Sequence, residues 1–172
     1  MSRSIGATIG DSLNLSLGYA ERLLTGVTAD QFARFASVSG QTIESNHAAF
    51  VYGHLSLYAA RILADLGQSL AIPDGFDKVF SKDATCVDDP DGSIYPPMEQ
   101  VTAFFFEGYR AALAAIQGTE DDVFQQPNPL GGVMAEKFPT LGSVHNFYVG
   151  GHVMIHMGQM SAWRRMLGLG RA

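Results

Sequence analysis

The chain reads as an all-α protein, a four-helix bundle with long connections after its second and third long helices. Three observations lead there. Apolar residues recur at helical spacing in four long stretches. The composition is globular, with 47% apolar and 16% charged residues, too apolar for a disordered chain. No segment shows the strict alternation of a half-buried strand flanked by hairpin turns. At 172 residues, the chain suits a single domain spanning residues 1–172.

The first helix is expected over residues 9–25, where Leu13, Leu17, Ala20, Leu23 and Leu24 fall on one face. Gly26 stops it by tolerating the left-handed cap conformation. Thr28 and Gln31 then have capping-box spacing and open a short second piece, docked through Phe32 and Phe35. The second long helix begins near residues 42–46 and ends at Gly67. Phe50, His54, Leu57, Tyr58, Arg61 and Ile62 share its broad face. Residues 68–97 carry turn chemistry in Pro73-Asp74-Gly75, in Asp88 to Gly92 and in Pro96-Pro97. Phe76 and Phe80 are the expected anchors of that connection. Asp88, Asp89 and Asp91 lack the spacing of a calcium loop and read as a turn.

Pro97 suits the first turn of the third helix, which runs to Gln117 with a stripe of Val101, Phe104, Phe105, Tyr109 and Leu113. A second connection covers residues 118–139. Thr140 caps the fourth helix, which continues to Leu167 and stops at Gly168-Leu169-Gly170. Arg164 and Arg165 fall in its last turn, where positive charge is favourable.

All five histidines fall on the second and fourth long helices. His152 and His156 are four residues apart, one turn along and about 40° around, so both rings can reach one ion. His54, among core residues on a neighbouring helix, is the obvious third ligand. Three imidazoles buried together without a partner would be costly to desolvate. A metal removes that cost by holding all three neutral. His47 and His145 each precede a proposed ligand by seven residues, about 10.5 Å along the axis. Neither can share the ion with the ligand on its own helix. They form a second layer if the two helices run parallel, and flank the ion from opposite ends if antiparallel. A pocket-lining role and an inert, partly exposed one stay equally open for both. Gln159, three residues after His156, is placed to orient a ligand. Tyr52, Tyr58 and Tyr148 are candidate pocket groups.

The net charge of −6 and the scattered Lys and Arg disfavour nucleic acid as a partner. No apolar run is long enough to span a bilayer, and the N-terminal residues lack the apolar stretch of a signal peptide. The single cysteine, Cys86, cannot form an internal disulfide, so a cytoplasmic location is expected. It lies in an acidic connection without basic neighbours and reads as a bystander.

The segment from Gly151 to Gly168, with His152-x-x-x-His156-x-Gly158-Gln159 followed by Arg164-Arg165, resembles the last helix of the DinB/YfiT-like family. Asn46 to Tyr58, with Gly53-His54-Leu55, resembles its second helix. Ile94-Tyr95-Pro96-Pro97 and Phe138 to Gly142 match the openings of its third and fourth helices. The resemblance implies a homodimeric four-helix bundle with a single divalent metal ion, zinc or nickel. His54, His152 and His156 are the implied ligands. The implied function is a metal-dependent enzyme acting on a small-molecule substrate, either a transferase using a low-molecular-weight thiol or a hydrolase. A non-catalytic metal- or ligand-binding protein is the alternative.

Overall fold

The computed structural model describes residues 3–172. Met1 and Ser2, which open the segment read for a signal peptide, lie outside the described residues. The described chain is mostly helical, with four long helices.

Helix α1 spans Ile5–Leu23, four residues earlier than the periodicity places its start. The Ser4 hydroxyl accepts from the Ala7 N–H at 3.1 Å, which satisfies one of the free donors of the first turn. Its buried face is Ile9, Leu13, Ser16, Ala20 and Leu23. The short α2, Ala29–Phe32, follows Thr28, whose N–H donates to Gln31 Oε1, as the capping-box spacing anticipates.

The expectation of no strands fails next. Ala36–Val38 (β1) and Gln41–Ile43 (β2) form an antiparallel hairpin. Ser39 and Gly40 at its tip both have positive φ, 52° and 80°, as a two-residue turn of the primed type requires. Three-residue strands are too short to show alternation.

Helix α3 is Ala48–Asp65, so it starts later than expected: Thr42 and Ile43 belong to the hairpin, and residues 44–47 connect it to the helix. The following connection carries α4, Phe76–Phe80, and both anchoring rings are fully buried. The Asp89 carboxylate accepts from the N–H groups of Ser93, Ile94 and Tyr95. The acidic run is thus a hydrogen-bonded turn. Helix α5 is Met98–Gln117, with Pro97 at the cap position rather than within the first turn. The second connection carries α6, Asp121–Phe124, and α7, Gly132–Lys137.

The C-terminal helix comes in three parts. Helix α8 is Leu141–Asn146, capped by Thr140. One π-helical turn follows over Phe147–His152, and α9 covers Val153–Met166. The widened turn holds Gly150 and Gly151.

Helix α3 packs on α5 and on α9, and α1 packs on α5 and on the C-terminal helix. A continuous apolar core lies between them, with Leu13, Tyr52, Phe105, Tyr109 and Trp163 fully buried. Arg164 does more than favour a helix terminus. It is 3% exposed, and its guanidinium donates to Leu23 O, Thr25 O, Leu169 O and Gly170 O. It therefore satisfies the carbonyls that end α1 as well as those beyond α9. No helix of the described residues is long and apolar enough to cross a membrane.

Candidate metal centre

Helix α3 and the C-terminal helix run antiparallel. Asn46, beside the start of α3, bonds Gln159 on α9. Asp65, at the end of α3, meets His145 on α8. Between these ties lie His54, His152 and His156, with one ring nitrogen of each within 4.8 Å of the others. Periodicity placed the residues on their helices; the antiparallel pairing brings the two helices' contributions to one depth.

Each ring is oriented by what it touches. His54 Nδ1–H donates to the Phe80 carbonyl at 2.8 Å, which leaves its Nε2 lone pair free. The Phe50 ring stacks on it with an interplanar angle of 6°. His156 Nδ1–H donates to Gln159 Oε1 at 2.9 Å, which again leaves Nε2 bare. The same Gln159 oxygen accepts from Asn46 Nδ2 at 3.1 Å. His152 Nε2 faces His156 Nε2 at 3.2 Å, and its buried Nδ1 has no hydrogen-bond partner among the described residues.

The residues fit a metal ion. Two nitrogens bound at about 2.0–2.1 Å to a tetrahedral ion stand roughly 3.3 Å apart, close to the His152–His156 separation. Two of the three rings donate their other N–H to an oxygen, the arrangement that fixes the tautomer of ligating histidines. The cluster could therefore hold a metal ion on His54, His152 and His156.

Burial lowers the pKa of all three rings. His152 is pushed down to about 3, by burial first and then by the neighbouring His156 and His54. The cluster is thus neutral near pH 7 and keeps its lone pairs available.

Two cavities meet at the cluster. The larger, about 640 Å³, is lined by His54, Tyr58, Arg61, Phe147, Tyr148 and His152. The smaller, about 430 Å³, takes in Asn46, His54, Lys82, Cys86 and His156. Cys86 thus sits on the rim of the site, although burial raises its thiol to about 11 and keeps it protonated.

The remaining candidates separate. Gln159 lies against His156 as expected. Tyr58 and Tyr148 line the larger cavity. Tyr52 does not: it is fully buried, and its hydroxyl donates to the Ala20 carbonyl. His47 and His145 flank the cluster from opposite ends and are fully buried, not partly exposed. His47 caps α3 by accepting from the Phe50 N–H and donates through Nε2 to the Val87 carbonyl at 2.9 Å. His145 turns toward Asp65. Neither lines a cavity that touches the cluster.

Three contributors escape sequence reasoning. The Phe80 carbonyl is backbone and leaves no residue-type signal. Lys82 reaches the site only through the folding of the connection. Arg61 had a signal, a cation on an otherwise apolar helix face seven residues after His54.

The low pKa values set a pH dependence. His47 is also lowered, chiefly by burial. In the unfolded chain these four imidazoles titrate near 6.5. Below that pH the unfolded state binds more protons than the folded one, so stability rises with pH. Metal-free protein is expected to show constant stability above about pH 7. Below about 6.5 it loses up to ~1.4 kcal/mol per pH unit for each histidine protonated only on unfolding. Urea titrations from about pH 5 to 8 check this in a window above ordinary carboxylate titration. Stability that holds level or rises on acidification would contradict it.

In comparisons with protein-family models and with curated proteins, nothing matches the chain.

Proposed function

We propose that the chain is a DinB/YfiT-like metalloenzyme, a four-helix bundle that holds one divalent ion, zinc or nickel, on His54, His152 and His156. The observation that carries the reading is the convergence of three neutral imidazoles from two antiparallel helices, two of which, His54 and His152, line a cavity large enough for a small molecule. Cavities of this size hold substrates and cofactors in other proteins. The mutual packing of the four long helices supports the bundle.

Three protein ligands leave a coordination position open, the pattern of catalytic rather than structural sites. When bound, the ion supplies Lewis acidity that turns a thiol or water into its reactive conjugate base near neutral pH. The chain's own residues do the rest. Phe80 and Gln159 hold two ligand rings in the tautomer that presents Nε2. Tyr58, Phe147 and Tyr148 give the cavity apolar walls that exclude water from the reacting group. The reaction class is transfer from a low-molecular-weight thiol, or hydrolysis, with a small-molecule substrate.

Metal analysis of purified protein tests the reading. Wild type is expected to carry about one ion per chain, and His54→Ala and His152→Ala to carry none. Wild type without stoichiometric metal, or variants that both keep it, would overturn the site.

A further inference from the structure

Besides the histidines, the larger cavity is lined by two cationic side chains, Arg61 and Lys82, and one carboxylate, Asp77. Arg61 lies on α3 seven residues after His54, two helical turns or about 10.5 Å along the axis, and both line this cavity. Leu57 and Tyr58 fill the wall between them.

Arg61 is fixed from behind. Its Nε donates to Asp65 Oδ1 at 3.0 Å, while its terminal nitrogens make no hydrogen bond among the described residues. Asp65 is held in turn by His145 Nε2, which donates to Oδ2 at 3.3 Å. The His145 side chain is fully buried and that of Asp65 is 10% exposed, whereas that of Arg61 is 42% exposed. A buried imidazole thus fixes a carboxylate, and the carboxylate fixes one edge of a guanidinium. The terminal nitrogens of the fork are left without a hydrogen-bond partner among the described residues, on a side chain that lines the cavity. A planar fork with two free nitrogens matches a carboxylate in bidentate geometry. Lys82 also lines the cavity, but its side chain is 77% exposed and its ammonium is paired with Asp83.

We infer that this cavity binds an elongated, mainly apolar carboxylate. Its carboxylate lies on Arg61, its chain crosses Leu57 and Tyr58, and its reacting end lies at His54 and His152, about two helical turns away. This names the substrate class for the proposed metal site and rests on that reading for the reacting end. Asp65 and His145 are positioning residues, since they act through Arg61.

Calorimetric titration tests it with defined probes. On zinc-loaded protein the probes are 8-mercaptooctanoate, its uncharged analogue 8-mercaptooctan-1-ol, and the short 3-mercaptopropionate. Wild type is expected to bind the long acid at least about tenfold more tightly than the alcohol or the short acid, a gap worth ~1.4 kcal/mol or more. Arg61→Gln should reduce the acid-to-alcohol preference to less than about threefold, with zinc content and melting temperature unchanged. Arg61→Lys should keep part of it, and Lys82→Gln most of it. Equal binding of acid and alcohol by wild type would overturn the inference, as would a preference that survives Arg61→Gln.

A second arm uses octanoate, octan-1-ol and octyl phosphate on metal-free protein. Octanoate should bind tightest, and only through Arg61. A preference for octyl phosphate would overturn the carboxylate assignment. If the chain takes up no zinc, the metal reading fails, and this arm alone decides for or against Arg61.

Discussion

Saturating zinc is expected to stabilise the wild-type chain by about 4 kcal/mol when free metal exceeds the Kd by about 1,000-fold. His54→Ala should gain almost nothing under the same conditions. For a chain of this length, that corresponds to a rise of roughly 10 °C in melting temperature. The reason lies in the metal-free cluster. His152 Nε2 faces His156 Nε2 at 3.2 Å, and the buried His152 Nδ1 has no hydrogen-bond partner among the described residues. An ion binds only the folded arrangement, so its binding energy appears as folding energy. Removing His54 leaves two ligands on one helix, too few to exclude water and proton competition. Differential scanning calorimetry with and without zinc, on both proteins, gives the answer directly. Equal shifts in the two would place the zinc elsewhere on the surface.

Gly53→Ala should destabilise the protein by about 1–3 kcal/mol, although alanine within a helix ordinarily gains about 1 kcal/mol over glycine. A Cβ at Gly53 would overlap the Phe80 ring, which is fully buried and cannot swing away into solvent. The displaced residue is the one whose carbonyl orients His54. Zinc affinity should therefore fall by roughly 10–100-fold as well, the usual effect of losing a partner behind a ligand. Gly158→Ala is the control. A Cβ there meets nothing within 4 Å, so this variant should be neutral or gain up to about 1 kcal/mol. Chemical denaturation and zinc competition titrations on both variants measure the contrast. A Gly53→Ala protein as stable and as zinc-avid as wild type would show that the α4 anchor yields without cost.

Much of this arrangement is legible in the sequence because it is periodic. The stripe from Leu13 to Leu23 and the Val101 to Leu113 stripe define helices, and burial follows them at Leu13, Ala20, Leu23, Val101, Phe104, Phe105 and Tyr109, while Leu17 and Leu113 are only half-buried. The four-residue spacing of His152 and His156 places them together, since adjacent helical turns meet wherever the helix goes. What escapes is what periodicity does not encode. The hairpin at 36–43 is set by two positive-φ residues and too few strand residues to alternate. The π-helical turn at Phe147–His152 adds a residue to one turn, and its trace in the sequence is a pair of glycines. His47 is polar and precedes a helix, a pattern shared by exposed caps. Its complete burial follows from the connection that brings Val87 over it. The direction of α3 relative to the C-terminal helix depends on those connections too, so the antiparallel order becomes visible only in three dimensions.

That order has a mechanical side. Asn46 with Gln159, His54 with His152 and His156, and Asp65 with His145 act like three rungs between two uprights. A slip of one helical turn, about 5.4 Å, would break all three rungs together, and no smaller slip brings the side chains back into register. Sliding of the two helices would thus cost both hydrogen-bonded ties, whereas turning the rings about their own bonds would cost neither. If the cluster holds a metal, selection among ions would then be by size and bond angle at a fixed gauge, and not by a breathing motion of the helices.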